Sequence, residues 1–376
     1  MTPELSIFAA RVADYIAIGA ADLSSEHLGH PHYQSHVDVE FNGMALMLFT
    51  LQFDHNPAYR KICEARKISP ADAVHWTQIP AVPTAAFKEF EISVLRPVQR
   101  ERVFHSSGTT GQQPSRHFHN AESLALYEES LLAWFCHQIP SEKNLLFLTP
   151  PPAAAPNSSL VHMFETIRRN YGAPENCFVG TAGGDNGWEI DFAEAIETLE
   201  GAVLGHERLV ILGTAFSFVH LLDHLAEKNL RFQLPAGSRV METGGYKNRS
   251  RVMPKEELHA LIADRLGVPT SHILCEYGMS ELSSQAYGGG ASAGDASAPR
   301  GAFHFPPWAR VQIISPETGR EVGDGETGLV RVIDLANVFS ALAVQTEDLA
   351  IRRGEGFELI GRVELAEPRG CSLMTL

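Results

Sequence analysis

The chain has 376 residues, 44% of them hydrophobic and 20% charged, a balance that fits a soluble globular protein with two or three packed lobes and excludes a disordered or fibrous one. Its formal charge of −15 opposes the Lys and Arg contacts to phosphate on which nucleic-acid binding depends, so no nucleic-acid partner is expected. Residues Met1 to Gly19 carry Glu4, Arg11 and Asp14 in place of a basic-then-apolar leader, and no stretch approaches the roughly 18 uninterrupted apolar residues of a membrane span. A cytoplasmic location follows as the expectation.

In chain order, residues 1–100 read as a helical N-terminal region. Leu46, Phe49 and Phe53 recur at helical spacing before the turn signal Asn56-Pro57, and Pro80 and Pro83 close the region. His27, His30, His32 and His36 have neither helical nor finger spacing and read as a solvated loop rather than a metal site. From residue 101 to 300, short apolar runs alternate with helical patterns. Leu145–Leu148, Leu209–Leu212, Val240-Met241 and Ile273-Leu274 predict buried strands, and the alternation predicts a mixed α/β sheet system. Phe216, Phe218, Leu221, Leu222 and Leu225 form an apolar helical face, readable as core or as an acyl site. Pro254, the stripe Leu258, Leu261 and Ile262, and Gly267 punctuate one complete helix. Between Gly288 and Pro299 the composition falls to Gly, Ala, Ser and Asp, the mark of a flexible loop. Val311–Ile314 and Leu329–Ile333, flanking turn residues Pro316, Gly319 and Gly325, predict a β-rich end over 301–376.

The five cysteines, Cys63, Cys136, Cys177, Cys275 and Cys371, are scattered and include no C-x-x-C pair. That pattern argues against a disulfide framework and against a structural zinc site. Cys136 and Cys275 stand in apolar surroundings and read as small buried hydrophobes.

Three short segments carry candidate chemistry. Ser106-Ser107-Gly108-Thr109-Thr110-Gly111 combines two glycines that free the backbone with four hydroxyls able to donate to an anion, as a phosphate-wrapping loop requires. It is neither a Walker loop nor a nucleophile elbow, and taken alone it also fits an ordinary exposed turn. Tyr277-Gly278-Met279-Ser280-Glu281 follows a predicted strand, where α/β sheets place their ligands. There an aromatic face could meet a base, a hydroxyl a phosphate oxygen, and a carboxylate a hard Mg²⁺ ion. Thr346-Glu347-Asp348-Leu349, followed by Gly361-Arg362, offers a carboxylate for ribose hydroxyls and a cation near the same nucleotide.

Together with the turn Gly244-Gly245-Tyr246-Lys247, these segments stand in the order found in the adenylate-forming superfamily, and the sequence most closely resembles its acyl-protein synthetase branch over nearly the whole chain. The resemblance implies an adenylate-forming, N-terminal-domain-like α/β fold in which the mobile C-terminal domain of larger members is missing or vestigial. It implies ATP and Mg²⁺ as cofactors. Ser106 to Gly111 would hold the β- and γ-phosphates, with Gly244, Gly245, Tyr277 and Gly278 around the adenine. Ser280 and Glu281 would meet the α-phosphate and the metal; Asp348 and Arg362 would meet the ribose end. Two departures stand out. The superfamily's phosphate loop closes on a lysine, whereas Gln112-Gln113-Pro114-Ser115-Arg116 follows here, and the catalytic lysine of the mobile domain has no counterpart, leaving Arg116 or Lys247 as replacements.

The implied reaction joins ATP to a fatty or aryl carboxylic acid, releases pyrophosphate, and passes the acyl group to a thiol. The resemblance points to Cys371, in Arg369-Gly370-Cys371-Ser372, as that thiol, with an acyl-accepting reductase or a carrier protein downstream. Two alternatives compete: an acyl- or aryl-CoA ligase, and a catalytically silent nucleotide-binding partner protein.

Overall fold

In the computed structural model, the described residues are 3–22, 31–106, 113–139, 143–174, 177–183, 188–244, 253–289 and 301–362. Ser107 to Gly111, Gly245, Lys247 and Cys371 lie outside them, as does most of the Gly/Ala/Ser segment.

The N-terminal region is helical as its periodicity predicts: α1 (Pro3–Asp22), α2 (Pro31–His55) and α3 (Pro57–Ala65). Asn56 caps α3 by accepting from Tyr59 N, and Pro57 occupies the first turn, where a missing N–H costs nothing. One expectation is corrected here. Helix α2 begins at Pro31, so the backbone of His32 and His36 is helical rather than part of a loop. Proline preset to helical φ starts that helix ahead of its apolar stripe. There follow β1 (Val82–Pro83), α4 (Ala86–Glu89), a hairpin of β2 (Arg102–His105) and β3 (Arg116–His119), and α5 (Ala121–Gln138).

The central sheet is built from β4 (Leu145–Phe147), β7 (Val210–Thr214), β8 (Arg239–Thr243) and β9 (Ile273–Tyr277), with β10 (Ala286–Gly288) on its edge. Between β4 and β7 come α6 (Ser159–Tyr171), the small pair β5 (Gly180–Ala182) and β6 (Trp188–Ile190), and α7 (Phe192–Gly205). Helix α8 (Ala215–Glu227) joins β7 to β8, and α9 (Lys255–Leu266) joins β8 to β9. Strands β4, β7, β8 and β9 are parallel, and β10 is antiparallel to β9. Parallel strands joined by helices are covered on both faces, which explains why they read as continuous apolar runs.

The side-chain alternation sorts the faces. Phe147, Leu212, Met241 and Leu274 join the core shared with α5 and α6, whereas Leu146, Ile211, Val240 and Ile273 join a second core with α7, α8 and α9. All five apolar residues of the α8 face are buried, and four of them pack in that second core. Helix α9 matches its punctuation: it starts after Pro254 and ends at Gly267, whose φ of +69° suits a residue without a Cβ.

The β-rich end is a second sheet of β11 (Ala309–Ile314), β12 (Thr327–Asp334), β13 (Ala343–Arg353) and β14 (Gly356–Arg362), joined on the β13 edge by β1 from the N-terminal region. Buried Gln52 and Asn56 of the helical region donate to the backbone oxygens of Asn337, Val338 and Ser340. Among the described residues, no helix is long and apolar enough to cross a membrane.

Candidate active site

Thr243, Gly244, Tyr277 and Gly278 sit side by side at the carboxyl ends of β8 and β9, the edge at which open α/β sheets bind ligands. Gly244 adopts φ +66°, the left-handed turn for which glycine is suited. At Gly278 the reason for glycine is different: a Cβ there would fall 2.2 Å from Oε1 of Glu276.

The β2–β3 hairpin brings Ser106, the first residue of the hydroxyl-rich segment, and Ser115 to this edge. Ser106 N donates to Ser115 O at 3.3 Å, and Ser115 N donates back to Ser106 Oγ at 2.9 Å, so the two ends of the intervening loop are clasped together. Ser115 Oγ donates to Glu281 Oε1 at 2.5 Å, and Ser280 Oγ donates to Glu281 Oε2 at 3.0 Å. The two hydroxyls are 3.4 Å apart. Two hydroxyls thus meet on the two oxygens of one carboxylate, and Glu281 itself is only 5% exposed.

This cluster is held from behind. His117 Nδ1–H donates to Ser280 O at 2.7 Å, and burial pushes the His117 pKa down to about 4, so the ring remains neutral. Asn337 Nδ2 donates to Glu281 O at 2.9 Å and to Ala341 O at 2.7 Å. Asp334 accepts from the backbone N–H of Ser283 and Ser284 at 2.8 Å each, from the Ser284 hydroxyl at 2.7 Å, and from Ala336 N at 3.1 Å.

The third segment meets the second through Asp348. Tyr277 OH donates to Asp348 Oδ2 at 2.8 Å, and Arg362 Nε donates to Oδ1 at 3.2 Å. Burial first, and the Asp348 charge second, push the Tyr277 phenol well up, so it remains a donor. Its ring packs edge-on against Phe357 at a centroid distance of 5.2 Å. Strand pairing places Asp348 opposite Arg362, which explains why these two residues converge across the chain. Arg116 leaves β3 beside Glu91, with Nη1 3.8 Å from Oε1. Its Nε is buried without a hydrogen-bond partner among the described residues.

Sequence reasoning missed several members. Ser115 precedes, and His117 lies on, a strand too short to announce itself, although Asn337 and Ser340 interrupt an otherwise apolar run from Leu335 to Val344. Glu276 is also new. Its carboxyl accepts from the Thr243 hydroxyl across the β8–β9 pair, and burial pushes its pKa up to about 7.

Solved structures with this architecture define the class. 2-Hydroxyisobutyryl-CoA ligase in its postadenylation state with 2-HIB-AMP aligns over 86% of this chain and 68% of its own, with a TM-score of 0.62 at 12% identity. The same ligase in complex with R3-HIB-AMP gives a TM-score of 0.61 over the same shares. The chain therefore shares its fold with this ligase. Residues 26–375 match the family model described as Acyl-protein synthetase, LuxE, and the chain belongs to that family. Among similar proteins, Long-chain-fatty-acid--luciferin-component ligase of Aliivibrio fischeri is 24% identical over 351 residues, covering 86% of this chain and 85% of its own. The ligase of the same description from Vibrio harveyi is 22% identical, covering 86% and 84%.

Proposed function

We propose that this acyl-protein synthetase activates a carboxylic acid, of the long-chain fatty class named in its relatives, with ATP and then carries the acyl group on its own Cys371. The observation that carries this reading is the meeting of Ser115 and Ser280 on the Glu281 carboxylate. It joins the base of the hydroxyl-rich loop to a segment 166 residues away, beside Gly244 and the Tyr277–Asp348–Arg362 chain.

In this reading the acid's carboxylate attacks the α-phosphorus, the bond to the β-phosphate oxygen breaks, and pyrophosphate leaves. Ser106 to Gly111 hold the β- and γ-phosphates as donors, Ser280 meets the α-phosphate, and Gly244, Gly245, Tyr277 and Gly278 flank the adenine. The Asp348 carboxylate, which has lone pairs beyond those used by Tyr277 and Arg362, accepts the ribose hydroxyls. The oxygen donors around Glu281 suit a hard cation, and Mg²⁺ held there would neutralise charge on the phosphates. Fixing these donors before the reaction lowers the barrier without reorganisation. The cation that larger superfamily members draw from a mobile C-terminal domain is assigned here to Arg116 or Lys247. Cys371, favoured as thiolate by Arg369, then attacks the mixed anhydride; a C–S bond forms and AMP leaves. A cytoplasmic acyl-accepting reductase or carrier protein is the destination.

Incubation with ATP, Mg²⁺ and a panel of labelled acids, read by intact mass, tests the whole scheme. An acyl adduct labile to hydroxylamine should appear in the wild type and vanish in Cys371→Ser, which keeps acid-dependent pyrophosphate exchange. Glu281→Gln should lower that exchange at least about tenfold, with partial recovery at high Mg²⁺. An adduct that survives in Cys371→Ser moves the nucleophile elsewhere. CoA thioester formation without any adduct makes the chain an acyl-CoA ligase, and no exchange with any acid makes it a silent nucleotide binder.

A further inference from the structure

Along β8 and β9, Thr243 and Glu276 alternate with Glu242 and Cys275, and the latter pair turns toward α9. There His259 completes a mixed cluster. Its Nε2 lies 3.8 Å from Cys275 Sγ and 3.5 Å from Glu242 Oε1, and the three donor atoms all fall within 4.8 Å of one another. Cys275 and Glu242 are buried, and His259 is half-buried with 14% of its side chain exposed.

Two features separate this cluster from a hydrogen-bonded triad. A catalytic triad uses the two ring nitrogens for its two partners, whereas here one nitrogen faces both the sulfur and the carboxylate. The separations of 3.8 and 3.5 Å are also slightly wider than the roughly 3.3–3.6 Å that zinc, bonded tetrahedrally at its usual lengths to sulfur, imidazole and carboxylate, sets between donors, so a small inward shift of the side chains would complete the site. Gly289 leaves room beside the thiol, since a Cβ there would stand 3.1 Å from Sγ. The donor set of one thiolate, one imidazole and one carboxylate selects a borderline cation and disfavours Mg²⁺.

We propose that Glu242, His259 and Cys275 form a zinc-binding site that ties α9 to β8 and β9 behind the nucleotide-binding edge. It is separate from the Glu281 cluster in position and in ligand chemistry. When the Zn–S bond forms, the Cys275 thiol loses its proton to solvent, and a water fills the fourth position. Lys255 hydrogen-bonds the Cys275 side chain and its charge interacts with Cys275 and Glu242, while its Nζ is 4.9 Å from the Phe303 ring centroid. A fixed ammonium beside the cation weakens binding, so Lys255 acts as a competitor for the same carboxylate and thiol.

Cobalt(II) provides the test because it reports both sulfur ligation and geometry. The full chain, stripped with a chelator, should take up one cobalt with a thiolate-to-metal charge-transfer band and intense tetrahedral ligand-field bands, and zinc, but not excess Mg²⁺, should bleach them. The band should be lost in Cys275→Ser and kept in Cys371→Ser. Affinity should fall at least about tenfold in Glu242→Gln and rise in Lys255→Met. Should Cys275→Ser fail to fold, His259→Gln at its half-buried helical position takes its place, and zinc should raise the melting temperature of the wild type but not of this variant. A wild type without the band, or a band that persists in both Cys275→Ser and His259→Gln, overturns the proposal.

Discussion

Glu276 shows how much a single buried side chain can be asked to do. Its carboxyl is 7% exposed, its pKa is raised by burial, opposed by the hydrogen bond from Thr243, and reaches about 7. In the unfolded chain it titrates near the ordinary value of 4.5. Between those values the native state binds the proton that the unfolded state has lost, so stability falls as pH rises through that window. The loss amounts to about 3 kcal/mol by pH 8. Urea unfolding across pH 5 to 8 should therefore show a downward slope for the wild type that flattens in Glu276→Gln, which keeps the shape without the ionisation. Parallel slopes in the two proteins would place the proton elsewhere. Gly278 belongs to the same arrangement, because only a residue lacking Cβ lets the Glu276 carboxyl lie where it does.

At the scale of elements, the turn after β9 is held by its neighbours rather than by its own sequence. Asp334, at the end of β12, is fully buried and spends both oxygens on Ser283, Ser284 and Ala336. These bonds set the backbone that follows Ser280 and Glu281, as Asn337 does for the Glu281 carbonyl. Asp334→Ala would leave buried N–H groups without acceptors and should destabilise the fold by about 3 kcal/mol or more. It should also weaken acid-dependent pyrophosphate exchange in the fraction that stays folded. Unchanged urea midpoints would show that solvent or a neighbouring group replaces the carboxylate. The hairpin of β2 and β3 works in the same way: a clasp between Ser106 and Ser115 fixes the two residues that flank the intervening segment.

At the scale of the whole molecule, the first and last regions of the chain are one structural unit. Strand β1 pairs with β13, and Gln52 of α2, fully buried, bonds the oxygens of Asn337 and Val338 while accepting from Leu342 N at 2.9 Å. Gln52 thus lies 49 residues before the central region begins at residue 101, yet bonds the segment that backs Glu281 through Asn337. Gln52→Ala should cost about 3 kcal/mol, since three buried backbone groups lose a partner together. Pyrophosphate exchange should fall more steeply on heating than in the wild type. A variant with wild-type unfolding and wild-type heat loss would uncouple the helical region from the site.

The sequence by itself determined the longer elements and the order of the motifs. Apolar runs beginning at Leu145, Leu209, Val240 and Ile273 predicted the buried strands, and Pro254 with Gly267 bounded α9, because steric limits at proline and glycine act locally. Family membership was legible for the same reason: short motifs such as Tyr277 to Glu281 keep their order along the chain whatever their surroundings. Tertiary structure alone decided which side chains meet. Ser115, His117, Asn337 and Asp334 carry no local signal of belonging to one site, and scattered cysteines without a C-x-x-C pair gave no sign of the Glu242, His259 and Cys275 cluster. Such meetings are set by strand register and by the packing of helices on a sheet, which bring together residues far apart in sequence, whereas propensity and periodicity act only over a few neighbours.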